Sequence, residues 1–323
     1  MKSAVVLYAD SKLISRQAGE ISELISMLKH VLTGVELWFF YSDNKPEFIP
    51  EIPGLSQVEL IRIDDPYMPE LILGLIEQIN TEKQADIIFF PGDWFGPELA
   101  VRLAYRFNGS SCVQVEGCEM NDDKIEAVKA VYGNNMNARF SLKKRPWCLS
   151  PARIAHRNIE FIKGFNPVKD YLYHKELKHE WLKETSVVSC SSGSKLEDTD
   201  FVLALGNGVK SRDNMEKLEG IAGSIGAEIA ASRKVVMNGW TDMERLVGAS
   251  GLSLSPKLCI AAGVSGAGVF NVGIKNSDFI AAINVDENAQ IFSIADVGVI
   301  DDLNDVLYEL EKIITSDKIK KEA

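Results

Sequence analysis

The chain is short of positive charge. Against 46 Asp and Glu it carries 35 Lys and Arg, a formal net charge of −11. A nucleic-acid surface needs a basic footprint, so this balance argues for no nucleic acid partner. The one basic run, Lys143-Lys144-Arg145, reads as a solvated turn. No apolar run approaches the roughly 20 residues of a membrane helix, so no direct membrane insertion is expected. Histidine is scarce, with only His30, His156, His174 and His179. The last two are spaced so that one helical face cannot present both, and no metal site is expected. The cysteines, Cys112, Cys118, Cys148, Cys190 and Cys259, are odd in number, scattered, and include no Cys-x-x-Cys pair. That excludes a disulfide frame and reads as reduced thiols in a cytoplasmic protein. The amino terminus runs straight into a strand-like segment, Ser3–Leu7, so no signal peptide is expected. No Ser/His/Asp or Cys/His set stands out, and no catalytic residue is assigned.

What is present is a repeated alternation of strand-like and helix-like segments. In the first half, strands are expected at Ser3–Leu7, Val35–Phe40, Gln57–Ile63, Asp86–Phe90 and Ser111–Val115. Between them, helices are expected at Ser15–His30, Pro69–Asn80 and Pro97–Phe107, the second opened by a proline suited to a first turn. Such βαβα order predicts a parallel sheet with helices on both faces. The rhythm changes after Ile125. Ile125–Tyr132, Ala138–Leu142 and Trp147–Leu149 read as antiparallel strands joined at Gly133-Asn134-Asn135 and Arg145-Pro146. A polar, then Ser-rich stretch from Lys169 to Lys195 marks the boundary between two domains, placed at 1–190 and 200–323.

The second half restarts the alternation. Strands are expected at Phe201–Leu205, Glu228–Ala231, Leu258–Ala262 and Phe279–Ile283. Helices are expected at Asn214–Ile225, at Thr241–Val247 with Thr241 as cap, and at Leu303–Ile314 behind Asp301 and Asp302. The fold class is therefore α/β, two doubly wound parallel-sheet domains, the second Rossmann-like. The sharpest local signal lies in that second domain. An apolar strand ends in Gly263-Val-Ser-Gly-Ala-Gly268, and the next ends in Asn284 and Asp286. Small residues let a backbone approach a pyrophosphate, and free N–H groups favour its charge. The same glycines also serve ligand-free turns.

These residues carry a resemblance. Ala231-Ser232-Arg233, Gly239-Trp240, Val247-Gly248-Ala249-Ser250-Gly251, Gly263-Val264-Ser265-Gly266-Ala267, Ala282-Ile283-Asn284, Ile291-Phe292 and Ala295-Asp296-Val297-Gly298 follow one another in the order of the electron transfer flavoprotein alpha subunit. The chain resembles that family from about Phe201 to Ile314, and more weakly before it. The resemblance implies a FAD cofactor, a beta subunit as heterodimer partner, and a flavin dehydrogenase of the acyl-CoA dehydrogenase type as electron donor. It implies cofactor contacts at Gly206, Asn207, Gly208, Ser232, Arg233, Val247, Gly248, Ala249, Ser250, Gly251, Gly263, Ser265, Gly266, Ala267, Gly268, Val269, Phe270, Asn284, Asp302 and Leu303. Within that set it places Arg233 and Ser250 near the isoalloxazine, Ser265 to Ala267 at the pyrophosphate, and Asp302 and Leu303 at the adenosine end.

The chain departs from the family pattern in three places. Asn207 stands where the family has an arginine, Ala249 where it has a glutamine, and Val269-Phe270 where it has a Gln-His pair. Ala249, Val269 and Phe270 offer no side-chain hydrogen-bond donor, and Asn207 keeps an amide donor but loses the positive charge. Two other readings stay open at this point. One is a paralogue that binds a nucleotide or a partner without redox work. The other is a stand-alone dinucleotide-dependent dehydrogenase, weakened because no Gly-x-Gly-x-x-Gly fingerprint follows the first strand.

Overall fold

A computed structural model describes residues 1–9, 14–42, 44–63, 68–93, 95–132, 136–152, 159–165, 169–173, 196 and 199–322. The chain divides into two compact units, one drawn from residues 1–131, 137–152 and 157–189, the other from 132–136, 153–156 and 190–323. The Gly133-Asn134-Asn135 turn, the Ser-rich part of the expected boundary, His156, His174, His179 and Cys190 lie outside the described residues. No helix among the described residues is long and apolar enough to cross a membrane.

In the first unit, β1 (Lys2–Tyr8), α1 (Ile14–Leu28), β2 (Gly34–Tyr41), the short β3 (Phe48–Pro50), β4 (Leu55–Ile63) and α2 (Pro69–Lys83) follow in order. Next come β5 (Ile87–Phe89), α3 (Gly96–Arg106), β6 (Ser110–Val115), β7 (Gly117–Asn121), β8 (Lys124–Val131) and β9 (Met136–Leu142). β10 (Trp147–Pro151), β11 (Phe161–Lys163) and β12 (Lys169–Tyr173) complete the unit. Seven strands form a parallel sheet in the order β12-β4-β2-β1-β5-β10-β6. Alternate residues of a strand point to opposite faces, and here both faces are buried. Val5, Leu7, Leu37 and Phe39 pack with Ile21, Leu24 and Leu28 of α1. Ala4, Val6, Trp38 and Phe40 pack with α2 and α3. That is why these strands read as unbroken apolar runs.

One expectation about this unit fails. Trp147–Leu149 is not part of an antiparallel meander. It runs parallel between β5 and β6 as an interior strand of the main sheet. The reason is visible in its burial: Trp147 and Leu149 enter one core and Cys148 the other, so only a two-sided position satisfies the segment. The meander instead uses β7, which pairs antiparallel with β8. Only Cys118 of its five residues is buried, so no apolar run marked it. The four described cysteines are buried, and burial pushes the Cys118 and Cys259 thiols up to about 12. They remain neutral packing groups at physiological pH.

The second unit holds β13 (Phe201–Leu205), α4 (Arg212–Ile225), β14 (Glu228–Ala231), α5 (Arg233–Met237), β15 (Leu258–Ala262), α6 (Gly268–Asn271), β16 (Ile280–Ile283), β17 (Val297–Val299) and α7 (Leu303–Glu322). Its five strands are parallel in the order β14-β13-β15-β16-β17. Edge strand β17 is exposed along its length and was not foreseen from the sequence, since it lacks a buried face. The helix expected at Thr241–Val247 is absent. Only a 3-10 turn at Met243–Arg245 forms, and no side chain caps it. Leu246 then turns extended and bridges Ala231, which ends any helix.

α4 begins two residues earlier than periodicity predicts, because the Ser211 hydroxyl accepts the Asn214 N–H at 3.2 Å and caps the first turn. Gly226, at φ +82°, closes the other end. Loss of such a cap costs about 1 kcal/mol. Ser211→Ala is therefore expected to lower the thermal midpoint by a few degrees in a circular-dichroism melt, whereas Ser211→Asp should hold it. Equal midpoints for wild type and alanine variant would show that the cap contributes nothing.

Candidate functional site

The strand order of the second unit creates a crevice. The chain builds β13, moves outward to β14, then returns to place β15 on the other flank of β13. The connections after β13 and β15 leave in opposite directions, and ligands bind beyond the carboxyl ends of strands at such a switch point. A cavity of about 620 Å³ opens there. That is the size of a small-molecule or cofactor site.

The floor of the crevice is a close approach of two backbones. The Gly206 N–H donates to Ala262 O at 2.9 Å and the Gly208 N–H to Gly263 O at 3.0 Å. A Cβ on Gly206 would lie 2.2 Å from Gly263 O, so no side chain fits between the turns. Beyond Gly263 the chain curls through Gly266, at φ +78°, where a Cβ would lie 2.0 Å from Ile291 N. Through this curl the N–H groups of Ser265, Gly266, Ala267 and Gly268 donate to no acceptor among the described residues. Successive unengaged N–H groups around a concave turn form an anion-binding nest. Asn284 clasps the turn from the next strand. Its Nδ2 donates to Val264 O at 2.7 Å, and its Oδ1 accepts the Asp286 N–H at 3.0 Å. Both ends of the amide are thus spent on shape.

Charged side chains line the strand ends. The β14 end supplies Arg233 and Lys234, and the β13 end supplies Lys210. The nest follows at β15. The β16 end supplies Asp286, and the turn into α7 supplies Asp301 and Asp302. Arg233 is exposed and forms no ion pair among the described residues. The Asn304 backbone N–H and side-chain amide, each 2.9 Å from Asp302 Oδ1, hold that carboxyl below its ordinary range, with Lys210 adding to the effect. Phe270 closes the apolar side. It is 6% exposed and packs with Val247, Val264 and Ile274 while lining the cavity.

Of the residues singled out in the sequence, the cavity wall gathers Asn207, Gly208, Ser232, Arg233, Gly263, Ser265, Ala267, Val269, Phe270, Asn284, Asp302 and Leu303. Gly206, Gly266 and Gly268 shape the turns without lining it. The Val247–Gly251 segment lies outside the wall. It forms a tight loop in which the Gly248 N–H donates to Leu252 O at 3.0 Å and the Ala249 N–H to Val269 O at 2.7 Å. Ala249, Ser250 and Gly251 are exposed. Asp286, read in the sequence only as a strand end, also lines the cavity, and sequence reasoning missed Lys210, Lys234, Asn288 and Gln290, which line it too. Lys210 and Lys234 stand just past motifs that were read, so their position in the chain was the available signal.

Residues 195–275 match the electron transfer flavoprotein FAD-binding domain. A protein of Escherichia coli (strain K12), provisionally named electron transfer flavoprotein subunit YgcQ, is 36% identical over 254 residues, 78% of this chain and 86% of that protein. The chain belongs to the electron transfer flavoprotein alpha-subunit family. Its relatives in the family are varied. The electron transfer flavoprotein subunit alpha of Clostridium acetobutylicum is 30% identical over 248 residues, 73% of this chain and 72% of that protein. LctC of Acetobacterium woodii, a subunit of lactate dehydrogenase (NAD(+),ferredoxin), is 30% identical over 311 residues, 94% of this chain and 73% of that protein. The matched domain covers the β13, β14 and β15 turns, and the acidic end of the crevice follows it. The chain's geometry fits FAD: the nest suits a diphosphate, and the glycine floor admits its close approach.

Proposed function

We propose that this alpha-type subunit carries electrons with FAD laid across the carboxyl edge of its second sheet. The observation that carries the reading is the crevice lining: cations at the β14 end, free amides at β15, and the Lys210–Asp302 pair beside the glycine floor. A dinucleotide has matching parts: a ring system that gains negative charge on reduction, an anionic diphosphate, and a sugar whose hydroxyls donate to carboxylates. When bound, the isoalloxazine supplies the redox chemistry. Arg233 offsets charge gained at that ring, the Ser265–Gly268 amides hold the diphosphate, and Asp302 accepts from the adenosine end. Phe270 excludes water from one wall and offers no hydrogen bond. The exposed Val247–Gly251 loop, with the Ser250 hydroxyl, faces the flavin end once a beta subunit covers it.

The family generally pairs with a beta subunit, and a heterodimer is the proposed working form here. The proposed donor is a flavin dehydrogenase of the acyl-CoA dehydrogenase type, and the proposed address is cytoplasmic. A second reading is favoured by the neutral Asn207 and apolar Phe270: a nucleotide- or partner-binding subunit without redox work. Purification separates the two. Co-expressed with its beta subunit, the chain is expected to elute as a 1:1 heterodimer with flavin absorbance bands that bleach with dithionite and return in air. Alone, it is expected to lose flavin on desalting. A heterodimer that is colourless and stays so with added FAD would establish the second reading.

A further inference from the structure

We infer that Lys210 is the side chain that neutralises the diphosphate of the bound dinucleotide, an assignment that rests on the FAD reading above. The nest of Ser265–Gly268 offers partial charges only. A doubly negative diphosphate held in a partly desolvated crevice needs a full positive charge beside it. Arg233 and Lys234 leave from β14, which β13 separates from the nest strand β15. Lys210 leaves from β13 itself. Its turn is fastened to the nest turn through the Gly208 N–H bond to Gly263 O at 3.0 Å, and its side chain lines the same cavity.

Two further observations fit this role. The Lys210 ammonium stands 3.6 Å from Asp302 Oδ2, a loose pairing across the cavity, while the other Asp302 oxygen is taken by Asn304. An arriving phosphate oxygen offers the ammonium a closer partner, and Asp302 is then released toward the sugar hydroxyls. The backbone at Lys210 is also left-handed, at φ +67° and ψ −30°. That conformation favours glycine and strains a lysine. A residue that strains its own turn is held there by what its side chain does.

The strain makes a clean test available. In Lys210→Gly the turn relaxes, so thermal stability should equal or exceed that of wild type. FAD affinity, measured by flavin fluorescence quenching on the full chain co-expressed with its beta subunit and stripped of flavin, should fall about tenfold or more, the scale of a hydrogen bond to a charged group. The dependence of affinity on salt should also flatten, because a screened contact has gone. Lys210→Arg should bind close to wild type. A glycine variant with wild-type FAD affinity, or with weakened affinity and an unchanged salt dependence, overturns the assignment and leaves the FAD reading standing. A wild-type heterodimer that fails to take up FAD overturns the FAD reading itself, and this assignment with it.

Discussion

Gly266→Ala is expected to empty the site while leaving the two sheets folded. The added Cβ would sit 2.0 Å from Ile291 N and 2.4 Å from its Cα, both backbone atoms that cannot swing aside. The residue is also at φ +78°, where alanine is strained whatever the space. Relief requires the Gly263–Gly268 curl to lift off the Gln290–Ser293 turn, which pulls the nest amides out of line. Strain and overpacking together should cost roughly 2–4 kcal/mol. The loss of aligned donors should reduce flavin retention at least as sharply. The measurement is the flavin-to-protein ratio after desalting, with a thermal melt alongside. A variant that melts lower and keeps a full complement of flavin would show that the curl does not hold the cofactor.

Arg233→Ala is expected to lower the flavin midpoint potential. Reduction adds negative charge to the ring, and a guanidinium beside it stabilises the reduced form more than the oxidised one. Arg233 is exposed and without an ion-pair partner among the described residues. One unit charge at an effective dielectric of about 20, partly screened, corresponds to a shift on the order of 50–100 mV in a one-electron couple. Arg233→Lys should restore most of the shift, since charge and not fork geometry is at issue. A redox titration of FAD-loaded heterodimers measures both. An unchanged potential in the alanine variant would remove Arg233 from the flavin end. Because Lys234 lies next to it on the same wall, the double variant should shift further than the single one.

Much of this protein was legible before any coordinates. Buried parallel strands such as Phe201–Leu205 and Leu258–Ala262 announce themselves as apolar runs ending in glycine, because both faces of the sheet are covered and the chain must turn sharply to reach a helix. The Ser265-Gly266-Ala267 turn and Ser232-Arg233 were legible for the same reason: small and charged residues follow directly on those strands. The Trp147–Pro151 strand was misplaced because its neighbours in sequence are antiparallel, whereas its partners β5 and β6 are distant in the chain. β17 was missed because an exposed strand carries no burial pattern, and β7 because only Cys118 of its five residues is buried.

What the sequence determined by itself is the buried strands, the longer helices and the turn that can hold an anion, since each follows from local composition and spacing; the ordered motifs from Ala231 to Gly298 carried the family resemblance. Only the tertiary structure decided how those turns combine. The β14-β13-β15-β16-β17 order brings Arg233, the Lys210–Asp302 pair and the nest to one crevice. It also left the Val247–Gly251 loop outside the cavity wall and spent both ends of Asn284 on clasping the turn. Chain order cannot convey this, because strand pairing decides which turns meet, and pairing is settled by packing between residues far apart in sequence.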